Sequence, residues 1–293
     1  MKTNSFPFWV LAVCGLFASV LLTFAQGPLT PPGAPAPLFK TLTQVEPRTP
    51  ISFVPTNLTV SGSYYLTTNL TQTSSSSGIL IGTNDVTIDL NGFALIGTNG
   101  TADGITRGGT GRTNICIGNG IVRNWSIGVS MLGAGSCRLE RLIVSGNSSN
   151  GISLVGRSVI SECSILDNGG HGIAATGTSL GPVIRSSQFD GNALDGIRVQ
   201  ADALVIGNYC RGTGSTGLGN AAIRVTANRN RVDGNHILDY DNGIVVSGSG
   251  NFIFRNTTVG VVTNYVIAAG NSFGPTNTVS GVVTNHPWAN FDL

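Results

Sequence analysis

The feature that most limits what this chain can fold into is a repeat. A small residue followed by Ile or Val opens "GITRG" at 104, "GVSML" at 128, "GISLV" at 151, "GIAAT" at 172, "GIRVQ" at 196, "AIRVT" at 222 and "GIVVS" at 243, with spacings of 24, 23, 21, 24, 26 and 21 residues. A second column keeps step with the first: "CIGNGI" (116–121), "LERLIV" (139–144), "ISECSI" (160–165), "IRSSQF" (184–189), "VIGNYC" (205–210), "VDGNHI" (232–237) and "IFRNTT" (253–258). Two columns that share one loose period define a repeat architecture. The unit is too short for two helices and has no helical patterning. It suits two or three short strands joined by turns and wound as one coil.

Coils of this kind stack at the ~4.8 Å spacing of paired strands. Residues some two dozen apart in sequence then become direct neighbours. Alternation along each strand sends Ile197 and Val199 inward and Arg198 outward. The recurring asparagines Asn119, Asn208, Asn235 and Asn256 are expected to form one inward amide ladder, since a buried amide needs partners above and below. The glycines that open the first column are expected to supply positive φ at the corners. Composition agrees with strands and turns: 41 of 293 residues are glycine, charged residues make up 10%, and helix-forming Lys and Glu are scarce.

These columns, together with "NDVTIDLNGFALIG" (84–97), resemble the right-handed parallel β-helix superfamily, the pectate-lyase-like proteins of secreted bacterial type, over about 79–275. The resemblance implies an all-β fold, a single-stranded right-handed parallel β-helix solenoid of about eight coils and ~40 Å in length, with N- and C-terminal caps. The expected organisation is a signal peptide at 1–25, a Pro-rich linker at 26–39, an N-terminal cap at 40–78, the β-helix at 79–275 and a C-terminal cap at 276–293. His286 and Trp288 read as cap residues. The first segment, "MKTNSFPFWVLAVCGLFASVLLTFA", has a basic start, an apolar core and a small residue at its end, so the protein is expected to be secreted or periplasmic. An uncleaved anchor is the rival reading, and no membrane span is expected once the segment is removed. The net charge of +2 and the lack of a lysine-rich run argue against nucleic acid as a partner. Cys116, Cys137, Cys163 and Cys210 are spaced by 21, 26 and 47 residues, unlike metal-ligand pairs. They read as buried thiols, with a Cys116–Cys137 bridge as the alternative.

The superfamily holds lyases, hydrolases, epimerases, tailspikes and non-enzymatic binders, so activity has to be read from a site. "GHGI" (170–173) resembles a polygalacturonase motif whose histidine lies beside the catalytic acids, and "GIRVQ" (196–200) resembles a later strand of that family, with Arg198 at its arginine. Gln200 stands where that family has lysine. The stretches "RNWSIGV" (123–129) and "SGNSSNGI" (145–152), where its aspartates fall, contain no carboxylate. Glycoside hydrolysis in its common form needs two. A calcium-dependent lyase needs a carboxylate strip, which is also missing, so Ca²⁺ enters only under a lyase reading and no other cofactor is expected. The "DPH" motif of mannuronan epimerases is absent as well.

One constellation remains. The residue preceding each first-column anchor runs Asp103, Ile127, Asn150, His171, Asp195, Ala221, Asn242. Stacking makes His171 and Asp195 neighbours, with Asn150 beyond, and places Arg198 over Arg224. His171, Asp195 and Arg198 are the candidate catalytic residues; Asn150 and Arg224 are candidate ligand contacts. The insertion "RGTGSTGLGN" (211–220) is the loop best placed to wall a groove. Two functions are expected from this pattern: a non-catalytic extracellular scaffold or carbohydrate-binding protein, partnered by a polysaccharide or cell-envelope glycan; or a polysaccharide-active enzyme, a polyuronate lyase before a glycosidase, working through the His171/Asp195/Arg198 face.

Overall fold

Short parallel strands in register stack along the length of the chain. The computed structural model describes residues 45–98, 100, 102–177, 180–214, 217–278 and 286–293. The signal-peptide and linker segments expected at 1–39 lie outside the described residues. One sheet has ten strands, running from Thr56–Leu58 to Thr263–Ile267 and gaining one strand per coil. Among the described residues the solenoid therefore has about ten turns, where about eight were expected. The stack reaches back to Thr49–Gln72, inside the segment expected as a cap, because Thr56–Leu58 pairs in register with Ile79–Ile81. A twenty-stranded sheet forms the remainder of the wall, with two strand columns that bend into one another. Among the described residues no helix is long and apolar enough to cross a membrane.

The first-column anchors stack as the repeat requires. Ile152 pairs with Ile173, Ile173 with Ile197, and Ile197 with Ile223, all fully buried. Strand Ile197–Val199 buries its two ends and exposes Arg198, as alternation demands. The glycines before these anchors do a different job from the one expected. Gly128, Gly151, Gly172 and Gly196 do not have positive φ. Each instead lies against the carbonyl of the next coil: a Cβ on Gly172 would sit 2.5 Å from the Gly196 oxygen. Close coil-to-coil approach, not left-handed backbone, selects glycine there.

The left-handed corner lies between the two strands of the second column, at Asn119, Arg141, Glu162, Ser186, Gly207, Gly234 and Arg255. Asn119 therefore does not belong to the ladder. Ile117 pairs with Leu139, which shifts "CIGNGI" by one residue and puts Gly120 at the ladder position, with Asn119 exposed outside it. The inward ladder runs through Asn208, Asn235, Asn256 and Asn290, and Ser187 extends it upward by donating its N–H to Asn208 Oδ1. Two further ladders hold the other corners: Asn147–Asn168–Asn192, which accepts the Trp125 N–H at its start, and Asn230–Asn251–Asn271. Asn290 lies in the terminal strand Asn290–Asp292, which pairs on Thr257–Val259. The last ladder rung thus anchors the C-terminal segment to the stack.

The four described cysteines are free thiols. Cys116 pairs with Arg138, one residue out of step with Cys137, so the two thiols are not stacked and no bridge joins them. Cys137 donates to Ser158 Oγ. Burial pushes the Cys137 and Cys163 thiols up to about 11, which leaves them inert at neutral pH. Arg141 and Glu162 share one outward column, but Arg141 bonds to Glu140 and Asn119.

Candidate functional site

Every predicted site residue falls on four adjacent coils. Their backbones are tied by Gly151 N–H to the His171 carbonyl and Gly172 N–H to the Asp195 carbonyl, which fixes Asn150, His171 and Asp195 in one column. Asn150 Oδ1 accepts the His171 N–H, and Asn150 Nδ2 donates to Ser153 Oγ. The His171 ring lies over Asp195, with Nδ1 3.4 Å from Oδ2. That contact is not a catalytic dyad, because the Asp195 backbone N–H donates to the same Nδ1 at 3.1 Å. A ring nitrogen that accepts carries no proton, so the imidazole is neutral with its hydrogen on Nε2. Burial, the dominant cause, holds the His171 pKa below its ordinary value; Asp195 opposes this, and Arg198 and Arg224 reinforce it.

The Asp195 carboxylate is fully committed. Its side chain is 4% exposed; Oδ1 accepts the Ala221 N–H at 2.8 Å, and Oδ2 accepts Arg224 Nε at 2.9 Å. Arg224 continues to the Gly219 carbonyl, which Asn242 Nδ2 also reaches. Arg198 lies beside Arg224, as the stacking requires. Arg224, however, is spent on Asp195 and the loop. Arg198 is exposed and has no hydrogen-bond or ion-pair partner among the described residues.

The described stretch 217–220 of the loop expected to wall a groove is tied to the next coil. Asp241 was not singled out in the sequence, yet its carboxylate accepts the N–H groups of Gly217, Gly219 and Asn220. A run of small residues followed a coil later by a buried Asp just before a first-column anchor is the signal that could have found it. Among the described residues no group of three His, Cys, Asp or Glu side chains could hold a metal ion.

This wound, laddered wall is that of a known class. The model described as right handed beta helix region matches residues 56–208 and 159–287, and the chain belongs to that family. In structure it is similar to the A-module of a mannuronan C-5 epimerase from Azotobacter vinelandii, with 14% identity, a TM-score of 0.53, and coverage of 83% of this chain and 88% of that one. It is also similar to the Dettilon tailspike protein, with 13% identity and a TM-score of 0.51; the match covers 84% of this chain and 60% of the tailspike. No curated protein matches the chain in sequence.

Proposed function

We propose that this is an exported, non-catalytic carbohydrate-binding β-helix, which meets acidic glycan chains on the face around Arg198. The observation that carries this reading is how the charges are used. Asp195 and Arg224 are consumed in holding the loop, and His171 accepts a backbone N–H, so none of the three is poised to move a proton for a substrate. With its side chain 4% exposed, the Asp195 carboxylate offers a substrate little surface. What remains on the surface is the Arg198 guanidinium, with His171 one coil away and the part-buried Asn150 two coils away. A planar fork of donors suits a carboxylate. A neighbour in fold is named as a mannuronan C-5 epimerase, which agrees with a glycan partner.

The test is a glycan array carrying acidic and neutral polysaccharides, followed by an ultraviolet assay for unsaturated uronate products with and without Ca²⁺. The expected result is binding of acidic glycans that Arg198→Ala weakens about tenfold or more, with no product. Product formation dependent on His171 would support the second reading, a polyuronate lyase, which rests on the neutral His171 ring beside Arg198.

A further inference from the structure

The outer wall of the last coils carries a second charged surface, remote in register from Arg198. Strand Arg231–Asp233 pairs with Phe252–Phe254, which sets Phe252 beside Arg231 and Phe254 beside Asp233. Asp233 faces outward yet is 1% exposed, because Arg231 and Arg255 close over it. Arg255 grips both carboxylate oxygens through Nε and Nη2, and Arg231 adds two bonds to Oδ2. Two guanidiniums on one carboxylate leave one excess positive charge. Nη1 of each arginine has no partner among the described residues, and the arginine side chains are 43% and 51% exposed.

Aromatic rings frame these donors. Phe252 is 49% exposed and Trp288 43% exposed; Phe254 lies between them, with ring centroids 6.2 Å from Phe252 and 5.5 Å from Trp288. Arg255 Cζ lies 5.6 Å from the centre of the Trp288 ring. The platform is held in place before any ligand arrives. Trp288 stands two residues before the ladder rung Asn290, and its N–H donates to His286 Nδ1. A preformed site loses little freedom on binding.

We infer that this corner is a second glycan subsite that takes a uronate ring, stacked on Trp288, with its carboxylate at the free Nη1 donors of Arg231 and Arg255. Rings with one apolar face and a polar rim suit such amphipathic side chains. The excess charge selects an acidic sugar over a neutral one. A second copy of this chain is the competing occupant, but a two-fold contact of this surface with itself would bring like charges together.

The subsite stands apart from the Arg198 reading, so the experiment removes that face first. Calorimetric titration of the Arg198→Ala protein with a short oligogalacturonate is expected to retain saturable binding, which Trp288→Ala or Arg255→Ala weakens about tenfold or more. A neutral cello-oligosaccharide is expected to bind about tenfold more weakly than the acidic one. Tryptophan fluorescence of the unmutated protein gives a readout that needs no variant: Trp125 is 1% exposed, so a ligand-linked change within the solenoid reports Trp288. No binding in the Arg198→Ala background, equal binding of the neutral sugar, binding unchanged by both corner substitutions, or a change in sedimentation showing self-association through this face would each overturn the inference. An Arg198→Ala protein that binds like the unmutated one would overturn the Arg198 reading and leave this one standing.

Discussion

Asn235→Ala is expected to be among the most damaging single changes in the solenoid, and its cost follows from the bonds it breaks. The side chain is 1% exposed. Its Oδ1 accepts both the backbone N–H and the Nδ2 of Asn208, and its Nδ2 donates to the Val205 carbonyl and to Asn256 Oδ1. Truncation leaves the buried Asn208 N–H without its partner, at about 1–3 kcal/mol, and removes side-chain bonds with net values of about 0.5–1.5 kcal/mol each. Asn208 Nδ2 keeps a bond to the Ile184 carbonyl, so that group is not orphaned. The sum is about 2.5–7.5 kcal/mol, a large share of the stability of an ordinary domain. The control is Asn119→Gly. That asparagine is exposed at φ +60, where glycine is favoured, so the change is expected to fall within about 0.5 kcal/mol. Urea unfolding followed by circular dichroism compares the two midpoints. Equal midpoints, or a loss below about 1 kcal/mol for Asn235→Ala, would refute the claim that amide ladders hold the coils together.

Other substitutions probe separate parts of the stack. Gly172→Ala places a Cβ 2.5 Å from the Gly196 oxygen, and thermal unfolding is expected to show a loss of about 1–3 kcal/mol from forced coil separation. His171 is expected to titrate below the ordinary 6.5, with its proton on Nε2 when neutral, which nitrogen-detected NMR resolves directly. Because the unfolded chain binds that proton more readily, the His171 contribution is present above about pH 6.5 and is lost as the pH falls. Burial pushes the Asp233 carboxyl up, but the bonds from Arg255 and Arg231 outweigh it and hold the pKa below its ordinary value. Stability from that carboxylate is thus present above about pH 4 and lost below it; the gap between Asp233→Asn and the unmutated protein should close in acid unfolding curves.

The wall of this protein was readable in advance because its information is periodic. Ile152, Ile173, Ile197 and Ile223 recur at the coil length, and alternation around Ile197 and Val199 puts Arg198 outside without any coordinates. The same register brought His171 to Asp195. What could not be read was what those side chains bond to. The Asp195 carboxylate meets the Ala221 N–H and Arg224 because the chain at Gly219–Ala221 returns just there, and the end of an insertion leaves no periodic trace. Asn119 was misplaced for a different reason. Gly118 and Gly120 flank it, so the motif fits the column equally well one residue along, and only the pairing of Ile117 with Leu139 decides. The glycines of the first column read in sequence as sources of positive φ at the corners, whereas a Cβ on any of them would meet the next coil's carbonyl.

Asp195 is a structural clamp on the chain at Ala221 and Arg224. Hydrogen–deuterium exchange of an Asp195→Ala variant tests that role directly. Faster exchange confined to 217–224, with acidic-glycan binding retained, is the predicted result. Unchanged exchange there, together with loss of a uronate-converting activity, would contradict it.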